Sequence, residues 1–315
     1  STLDEVSTNQ VPYTYVKASG TTAELNYEET TKTILTFSNY FSGDFFTTNS
    51  GDGTTKTGTF ILSQRRGDIT FDGRPDLYWQ NLANQRQRVT LTWGGTVTNL
   101  VTTNAMDRLL GLSDISRDGA MDFVYFPVDR YLYAVTPQTN LLLRGGATVS
   151  TLWRVVSAED VNGDGYPDIL FQNIDGRLTY WTLGPNPPYY SGAFQLRNGH
   201  ALAPKWLAVA VADINLDSQP DVIFWNTLTS QTAAWLLQQG EFREAVSIAG
   251  GDTPGTDWRL RAVADMKDDG HNDLLWQNLQ TGAVQIWHMN KFNKVGTANL
   301  DFPDPNPNWV LIGPK

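Results

Sequence analysis

Short apolar segments alternate with polar turns along most of this chain. One such segment, residues 169–171, follows a polar loop that ends at Asp168 and precedes a turn that begins at Asn173. Apolar runs of this length, bounded by Asp, Asn and Gly, are typical of β-strands. The pattern therefore predicts an all-β fold.

The polar loop before that segment occurs five times, and an apolar segment follows each copy. Every copy has Asp at its first, fifth and ninth positions. The first Asp residues are separated by 46, 46, 53 and 52 residues, and they are Asp68, Asp114, Asp160, Asp213 and Asp265. A period of this length is typical of a propeller, a solenoid or another repeat array.

Tryptophans mark the strands of the repeats. One set lies seven residues before the first Asp of a loop and a second set lies 21 to 25 residues after it: Trp153, Trp206 and Trp258, and Trp93, Trp181, Trp235 and Trp287. Each repeat then reads as four short antiparallel strands, which make one propeller blade. Because a Trp at one fixed place per repeat is typical of the core between blades, we expect these residues to be buried and not to bind sugar.

The third loop has the composition of a cation site. Asp160, Asn162 and Asp164 alternate along it, so their side chains can converge on one centre, and Asp168 closes the loop. Gly at the sixth position permits the sharp turn, and the carbonyl of Tyr166 is a further expected ligand. Oxygen ligands without His or Cys favour Ca²⁺ over a transition metal.

The other four loops offer similar but unequal ligand sets. The fourth has Ser218 where Gly is favoured, and the fifth has Lys267 at its third position, where an ammonium group would compete with a cation. We expect up to five structural Ca²⁺ ions, with the fifth loop least suitable; the alternative is turns closed by Asp–amide hydrogen bonds without metal. The expected ligands in these loops are Asp213, Asn215, Asp217 and Asp221; Asp68, Thr70, Asp72 and Asp76; Asp114, Ser116, Asp118 and Asp122; and Asp265, Asp269 and Asp273.

The third repeat, with Asp-x-Asn-x-Asp-Gly-x-x-Asp-Ile-Leu-Phe-Gln-Asn, resembles the FG-GAP/VCBS repeat of integrin α-subunit propellers and of several propeller lectins. The resemblance covers residues 59–315. It implies a β-propeller that carries Ca²⁺ in loops between the first and second strands of its blades. It does not fix the function, because one fold hosts many functions.

The two ends of the chain depart from the repeat. Residues 1–59 read as three strands, and residues 309–312 read as a blade's first strand with no blade after it. We predict a single propeller domain over residues 1–315, with six blades, or seven as the alternative. Residues 1–59 and 309–315 would share the closing blade; the other possibility is that residues 1–59 are exchanged with a neighbouring subunit.

Composition narrows the functional classes. The 315 residues include no cysteine, which excludes disulfides, thiol catalysis and Cys-based zinc sites. The formal net charge of −10 argues against nucleic acid as a partner, and five bound Ca²⁺ ions would bring it to zero. No apolar run approaches about 18 residues, so we expect no membrane span. Because Ca²⁺ is abundant outside cells, and a start at Ser1 without Met is consistent with a removed signal peptide, we expect a secreted or cell-surface protein.

Catalysis has little support in the sequence, which has only three His and lacks a nucleophile elbow or a phosphate-binding loop. We expect a binding protein and not an enzyme.

The resemblance to propeller lectins favours carbohydrate as the ligand, and Tyr189, Tyr190 and Trp225 are the candidate ligand residues. The alternative is a structural or adhesive subunit of an extracellular assembly, joined to protein partners or to further copies of itself through residues 1–59. Four asparagines that end apolar segments are expected to be turn residues: Asn81, Asn173, Asn226 and Asn278.

Overall fold

The structure is a computed structural model in which the chain forms two compact units, Ser1–Gln64 and Arg65–Lys315. The described residues are 13–17, 22–27, 30–37, 42–61, 67–68, 75–84, 86–90, 98–100, 108–116, 121–136, 139–184, 186, 189–300 and 307–315. Their regular structure is all β, apart from two short 3-10 turns at Leu196–Gly199 and Ala249–Gly251. Within these ranges, no helix is long and apolar enough to cross a membrane.

The first unit is one antiparallel sheet of five strands that follow one another in chain order. Ile34 and Phe46 lie directly opposite each other on neighbouring strands, and both are exposed. The Thr-rich alternation of this segment explains the strands, since β-branched residues are enriched in sheets. The strands are β1 (Tyr13–Lys17), β2 (Thr22–Tyr27), β3 (Thr31–Phe37), β4 (Ser42–Asn49) and β5 (Thr55–Ile61).

The second unit contains five four-stranded antiparallel sheets within its described residues. In chain order its strands are β6 (Leu77–Asn81), β7 (Gln87–Thr90), β8 (Thr98–Leu100), β9 (Leu109–Ser113), β10 (Asp122–Tyr125), β11 (Tyr133–Val135), β12 (Asn140–Leu142), β13 (Trp153–Glu159), β14 (Asp168–Asn173), β15 (Leu178–Leu183), β16 (Tyr190–Gln195), β17 (Trp206–Ala212), β18 (Asp221–Asn226), β19 (Thr232–Gln238), β20 (Glu241–Ile248), β21 (Trp258–Ala264), β22 (Asp273–Asn278), β23 (Val284–Asn290), β24 (Asn293–Leu300) and β25 (Trp309–Gly313).

These five sheets are the blades of a closed ring. Blade 1 contains β25 and β6–β8, and blades 2 to 5 contain β9–β12, β13–β16, β17–β20 and β21–β24. The inner strands β9, β13, β17, β21 and β25 contact one another in this order, and β25 also contacts β9. The predicted all-β propeller of four-stranded antiparallel blades is confirmed. The described chain has six antiparallel sheets in all, of which the five four-stranded ones form this ring and the five-stranded one belongs to the first unit.

The closing blade differs from the prediction. β25 pairs with β6, with Trp309 opposite Asn81 and Leu311 opposite Trp79, so residues 1–59 contribute no strand to this blade. The physical reason is that β5, the strand before the first loop, pairs with β4 in the first unit, which leaves the inner position of blade 1 to β25. Glycine is required near the end of β25, because a Cβ on Gly313 would collide with the Tyr78 ring. Exchange of residues 1–59 between subunits stays a prediction.

The core lies between neighbouring blades. Every residue of β14 is buried, because this middle strand is covered by a blade on each face. Trp181, Trp235 and Trp287, on the third strands of blades 3 to 5, are also buried, which confirms their predicted place in the core. Trp153, Trp206 and Trp258, at the starts of the inner strands, pack against the core but are only half-buried, so the prediction of full burial is wrong for them; Trp93 lies outside the described residues.

Candidate functional site

The predicted cation loops lie where the repeat places them, between the first and second strands of the blades. In blade 3 the loop follows β13, which ends at Glu159, and Asp168 opens β14. The loops of blades 4 and 5 occupy the same place, ahead of Asp221 and Asp273.

In the third loop, two aspartates fold the backbone around themselves. Asp160 accepts hydrogen bonds from the N–H of Gly163 at 2.7 Å and from that of Gly165 at 2.8 Å. Asp164 accepts from the N–H of Tyr166 at 2.8 Å and from Asn162 Nδ2 at 3.0 Å. Gly165 has a φ of +82°, so glycine is needed there for its conformation.

The last aspartate of this loop is fully buried. Asp168 Oδ2 accepts from the Val161 N–H at 3.0 Å, whereas Oδ1 is buried and makes only a weak hydrogen bond with the Leu183 N–H. Burial, followed by the nearby charges of Asp164 and Asp160, raises the pKa of Asp168 to about 8. The three carboxylates thus lie close enough to repel one another, and one buried oxygen has only a weak hydrogen bond.

These features fit a hard cation in the third loop. Within the described residues, no three His, Asp or Glu side chains converge closely enough to form a metal site. In this conformation Asp160 and Asp164 instead accept hydrogen bonds from backbone N–H groups. The oxygen-only donor set and the weakly bonded Oδ1 of Asp168 nevertheless match the chemistry of Ca²⁺. If Ca²⁺ binds, its ligands would be Asp160, Asn162, Asp164, Asp168 and the Tyr166 carbonyl. The charge of the ion would offset the repulsion between the carboxylates. Calcium stays a prediction.

The fourth loop repeats the fold of the third with one difference at its last aspartate. Asp221 accepts from the Ile214 N–H at 3.2 Å and, through its other oxygen, from the Leu237 N–H at 3.1 Å. Burial raises its pKa to about 7. Ser218 has a φ of +66°, the left-handed conformation expected where the other loops have Gly.

The fifth loop has basic side chains of the protein itself beside two of its carboxylates. Lys267 Nζ lies 3.8 Å from Asp269 Oδ2, and His288 Nδ1 lies 3.1 Å from Asp273 Oδ2. The Lys267 ammonium therefore lies near a carboxylate that a metal would need, as the sequence indicated. The third loop has no such neighbour among its described contacts, and Thr182 occupies the place of His288 in blade 3.

The first two loops are described in part. Asp76 and Asp122 are buried at the starts of their apolar segments, like Asp168. Asp122 Oδ2 accepts from the Ser116 N–H at 2.7 Å. Asp68 and Asp114 are also described, whereas Thr70, Asp72 and Asp118 lie outside the described residues. A buried aspartate that begins the second strand is thus common to all five blades.

The aromatic ligand candidates are less accessible than the sequence suggested. Trp225 is only 6% exposed and packs in the core between blades 4 and 5, so its prediction as a ligand platform is wrong for this conformation. The reason is that a middle strand is covered on both faces, whereas the prediction assumed one open face. Tyr189 and Tyr190 are half-buried at the outer part of blade 3, where Tyr190 packs edge-on against Trp181.

A cleft of about 460 Å³ lies between blades 3 and 4. Its lining includes Trp206, which is half-buried, together with Asn173, Asp175, Lys205 and Arg154.

Asn173 ends β14, and its side chain accepts a hydrogen bond from the Asp175 N–H at 3.2 Å, which is the predicted role of a turn residue. The same role is confirmed at the ends of three other strands, by Asn81, Asn226 and Asn278.

The sequence analysis missed a set of glutamines that join the blades. Gln172 Nε2 donates to the Trp206 carbonyl at 2.9 Å, and its Oε1 accepts the Ala208 N–H at 3.0 Å. Gln277 makes the same two bonds to Trp309 and Leu311. A sequence pattern could have identified them, since a glutamine comes directly before the asparagine that ends the apolar segment in three repeats. These glutamines are Gln80, Gln172 and Gln277.

Comparison with known families supports the repeat assignment. Residues 160–224 match the family model described as the FG-GAP-like repeat. With the blade architecture above, this confirms the resemblance to an FG-GAP-repeat β-propeller. No curated protein matches this sequence.

Several solved structures match this chain at low similarity. Regucalcin, a calcium-binding protein from Agrobacterium tumefaciens, is 12% identical over 70% of this chain and 68% of its own, with a TM-score of 0.42. The Cps50 (Swd1) β-propeller domain of Myceliophteria thermophila is 10% identical over 93% and 90%, with a TM-score of 0.37. A Photorhabdus luminescens Tc holotoxin pore is 15% identical over 90% of this chain but only 16% of the toxin chain, with a TM-score of 0.41. At these values the matches carry no argument about function.

Proposed function

We propose that this FG-GAP-repeat β-propeller is a carbohydrate-binding protein of the extracellular space whose loops are held by Ca²⁺. The observation that carries the proposal is the cleft between blades 3 and 4. Its volume of about 460 Å³ is within the usual range for small-ligand sites, roughly 300 to 1,000 Å³.

The lining of this cleft has the chemistry that a sugar needs. The half-buried indole of Trp206 offers an apolar surface for the C–H face of a pyranose ring. Asn173, Asp175 and Lys205 surround it with donors and acceptors for hydroxyl groups. Because these groups stand on strand ends and tight turns of two packed blades, the cleft is largely preformed, which lowers the entropic cost of binding.

Calcium has a structural role in this proposal. The cation loops join the first strand of a blade to its second, and a bound ion would fix this connection. Typical extracellular calcium modules bind with dissociation constants of roughly 10⁻⁴ to 10⁻³ M, which suits the high Ca²⁺ concentration outside cells. We therefore propose a secreted or cell-surface location and glycans as the partners.

A glycan array probed in calcium, followed by calorimetric titration of the best ligand, tests the proposal. Trp206→Leu removes the indole of the cleft and keeps an apolar side chain, so we expect at least a tenfold loss of affinity. Trp258→Leu is the matched control, because Trp258 is also half-buried and also begins an inner strand, in blade 5. Absence of any glycan ligand, or equal losses in both variants, would contradict carbohydrate binding at this cleft.

A second candidate function is a structural or adhesive subunit joined through the first unit. The facing pair Ile34 and Phe46 favours it, since these side chains are 39% and 44% exposed on the same sheet. Light scattering of the full chain at increasing concentration tests it. A species larger than 35.1 kDa that the double variant Ile34→Thr, Phe46→Thr dissociates would support assembly, whereas a monomer at all concentrations would exclude it.

A further inference from the structure

Four cationic side chains from four different blades meet near the axis of the ring. Arg154 lies on the inner strand β13 and Arg261 on the inner strand β21. Arg108 directly precedes the inner strand β9, and Lys315 follows β25 by two residues. We call these residues the axial cluster. Arg108, Arg154, Arg261 and Lys315 belong to blades 2, 3, 5 and 1, respectively. Side chains from all four of these blades can lie close together only near the axis, which the inner strands surround.

The inner strands that carry or adjoin these residues contact one another around the axis, and the pKa values of the groups agree with this placement. Burial, followed by the charges of Arg108, Arg261 and Arg154, lowers the pKa of Lys315 to about 7. Burial and then the charge of Arg108 lower the pKa of Arg154 to about 10. No carboxylate acts on either group, although both side chains keep some contact with solvent.

No Asp or Glu side chain pairs with the cluster among the described residues. Arg154 Nη2 donates to Gln172 Oε1 and to the Ala208 carbonyl, both at 2.6 Å, and both acceptors are neutral. Arg261 Nε is buried and makes no hydrogen bond to the described part of the chain. Buried donors without a partner are costly, and more so when they are charged.

The position of Arg261 indicates that its charge is not a general feature of the fold. The inner strands of all five blades contain a bulge at the same place, and Arg261 is the extra residue in blade 5. The extra residues of the other four blades are the buried aliphatics Leu110, Ile312, Val156 and Val209. An aliphatic residue therefore suffices for packing at this bulge, and blade 5 places a guanidinium there instead.

We propose that the axial cluster binds an anion that carries a sulfate, phosphate or carboxylate group. Guanidinium groups match these planar or tetrahedral oxyanions with paired N–H donors, and an ammonium group adds a point charge. Such a ligand would neutralise the mutual repulsion of the four cations and give Arg261 Nε an acceptor. Arg154 also belongs to the lining of the cleft between blades 3 and 4, but the anion site rests on Arg261 and Lys315 as well and does not depend on sugar binding.

The test is calorimetric titration of the full chain with sodium sulfate at pH 6.5 and constant ionic strength, with sodium chloride as the reference. We expect one saturable site. Arg261→Val, which installs the residue found at this bulge in blades 3 and 4, should weaken sulfate binding at least tenfold. The same variant should melt at a higher temperature than the wild type in chloride, because it removes an unpaired charge and no described hydrogen bond.

Arg243→Val is the matched control, because Arg243 is exposed on the outer strand β20 of blade 4 and its loss changes the net charge equally. Sulfate also stabilises proteins by exclusion from their surface, and this effect should be the same in both variants. Lys315→Gln is a second variant that should also weaken binding. The proposal is overturned if no saturable sulfate binding occurs, or if Arg243→Val and Arg261→Val weaken it alike.

A second titration distinguishes two sources of the same chemistry, a free anion and the acidic group of a glycan. Glucose 6-sulfate is compared with sulfate and with glucose. Tighter binding of the sulfated sugar than of sulfate, with both lost in Arg261→Val, would assign the site to an acidic saccharide. Equal affinities would assign it to the free anion.

Discussion

Gln172 on blade 3 and Ala208 on blade 4 are joined by a hydrogen bond of 3.0 Å, from the Ala208 N–H to Gln172 Oε1. The same bond recurs at 3.2 Å between Gln277 and Leu311, and at 3.2 Å between Gln80 and Leu109. Each glutamine stands on a second strand and reaches the inner strand of the next blade. Side-chain amides therefore join three of the five blade interfaces in the described ring, including the one between blade 5 and β25.

Replacement of Gln172 by Ala should destabilise the second unit by about 2–4 kcal/mol. The buried Ala208 N–H would lose its acceptor, and each buried group left unpaired costs roughly 1–3 kcal/mol. Urea unfolding measures the change. Gln195→Ala, on the exposed outer strand of the same blade, should change the free energy of unfolding by less than about 0.5 kcal/mol. Similar losses in the two variants would mean that the inter-blade bonds add little.

Asp164→Ala should lower the melting temperature much more in calcium than in chelator. Without metal, the variant loses only the exposed bonds from Tyr166 and Asn162. With calcium at about 100 times its dissociation constant, a lost site removes about 2.7 kcal/mol. For a unit of this size that corresponds to roughly 5–10 °C. Differential scanning calorimetry in both buffers checks this, and equal decreases would show that the third loop is stabilised without metal.

Lys267→Asn should add one calcium ion per chain, because it removes the ammonium group 3.8 Å from Asp269 and supplies an oxygen ligand at the third loop position. The His288 contact with Asp273 remains, so the double variant with His288→Thr should bind more tightly than the single variant. Equilibrium dialysis with atomic emission gives the stoichiometry. Lys291→Asn, in an exposed turn of the same blade, is the control with an equal charge change. Unchanged stoichiometry in both Lys267 variants would refute the prediction.

Lys315 should make the stability of the chain depend on pH in the alkaline range. Its pKa is about 7 in the folded chain and near the ordinary 10.5 after unfolding, so between these values the unfolded state holds the extra proton. The free energy of unfolding therefore rises with pH between about 7 and 10.5 because of Lys315. Below pH 7 the full destabilising effect of the buried ammonium group is present. Lys315→Met should remove this rise and be more stable than the wild type at pH 6.

The measurement for Lys315 is urea unfolding at pH 6, 7.5 and 9 in chloride, with Lys291→Met as the exposed control. Only the Lys315 variant should change the slope of stability against pH. Parallel profiles for all three proteins would contradict the assigned pKa.

The repeat could be predicted from the sequence because it places the same residue types at the same distances. Asp160 and Asp168 identified the loop, and the strands on both sides of it lie where the spacing indicated. Asn173 was identified as a turn residue for the same reason. Local patterns of this kind need no knowledge of which blades are neighbours.

The features that were not predicted depend on contacts between distant parts of the chain. Trp225 alternates with Phe224 as if one were exposed, but both are buried because a blade covers each side. The pairing of Trp309 with Asn81 has no local signal, since any blade without a first strand would accept β25. The axial cluster was missed because Arg108, Arg154 and Arg261 belong to different repeats.

The pairing of β25 with β6 also governs when the ring can form. About 230 residues separate Trp309 from Asn81, so blade 1 cannot be completed until nearly the whole of this sequence has left the ribosome. Contacts of such long range form late, because they carry the largest loop-closure entropy. Until then, the inner edge of β6 presents unpaired backbone groups to other chains. During synthesis, therefore, the strand that arrives last is also the one that protects the nascent propeller from aggregation.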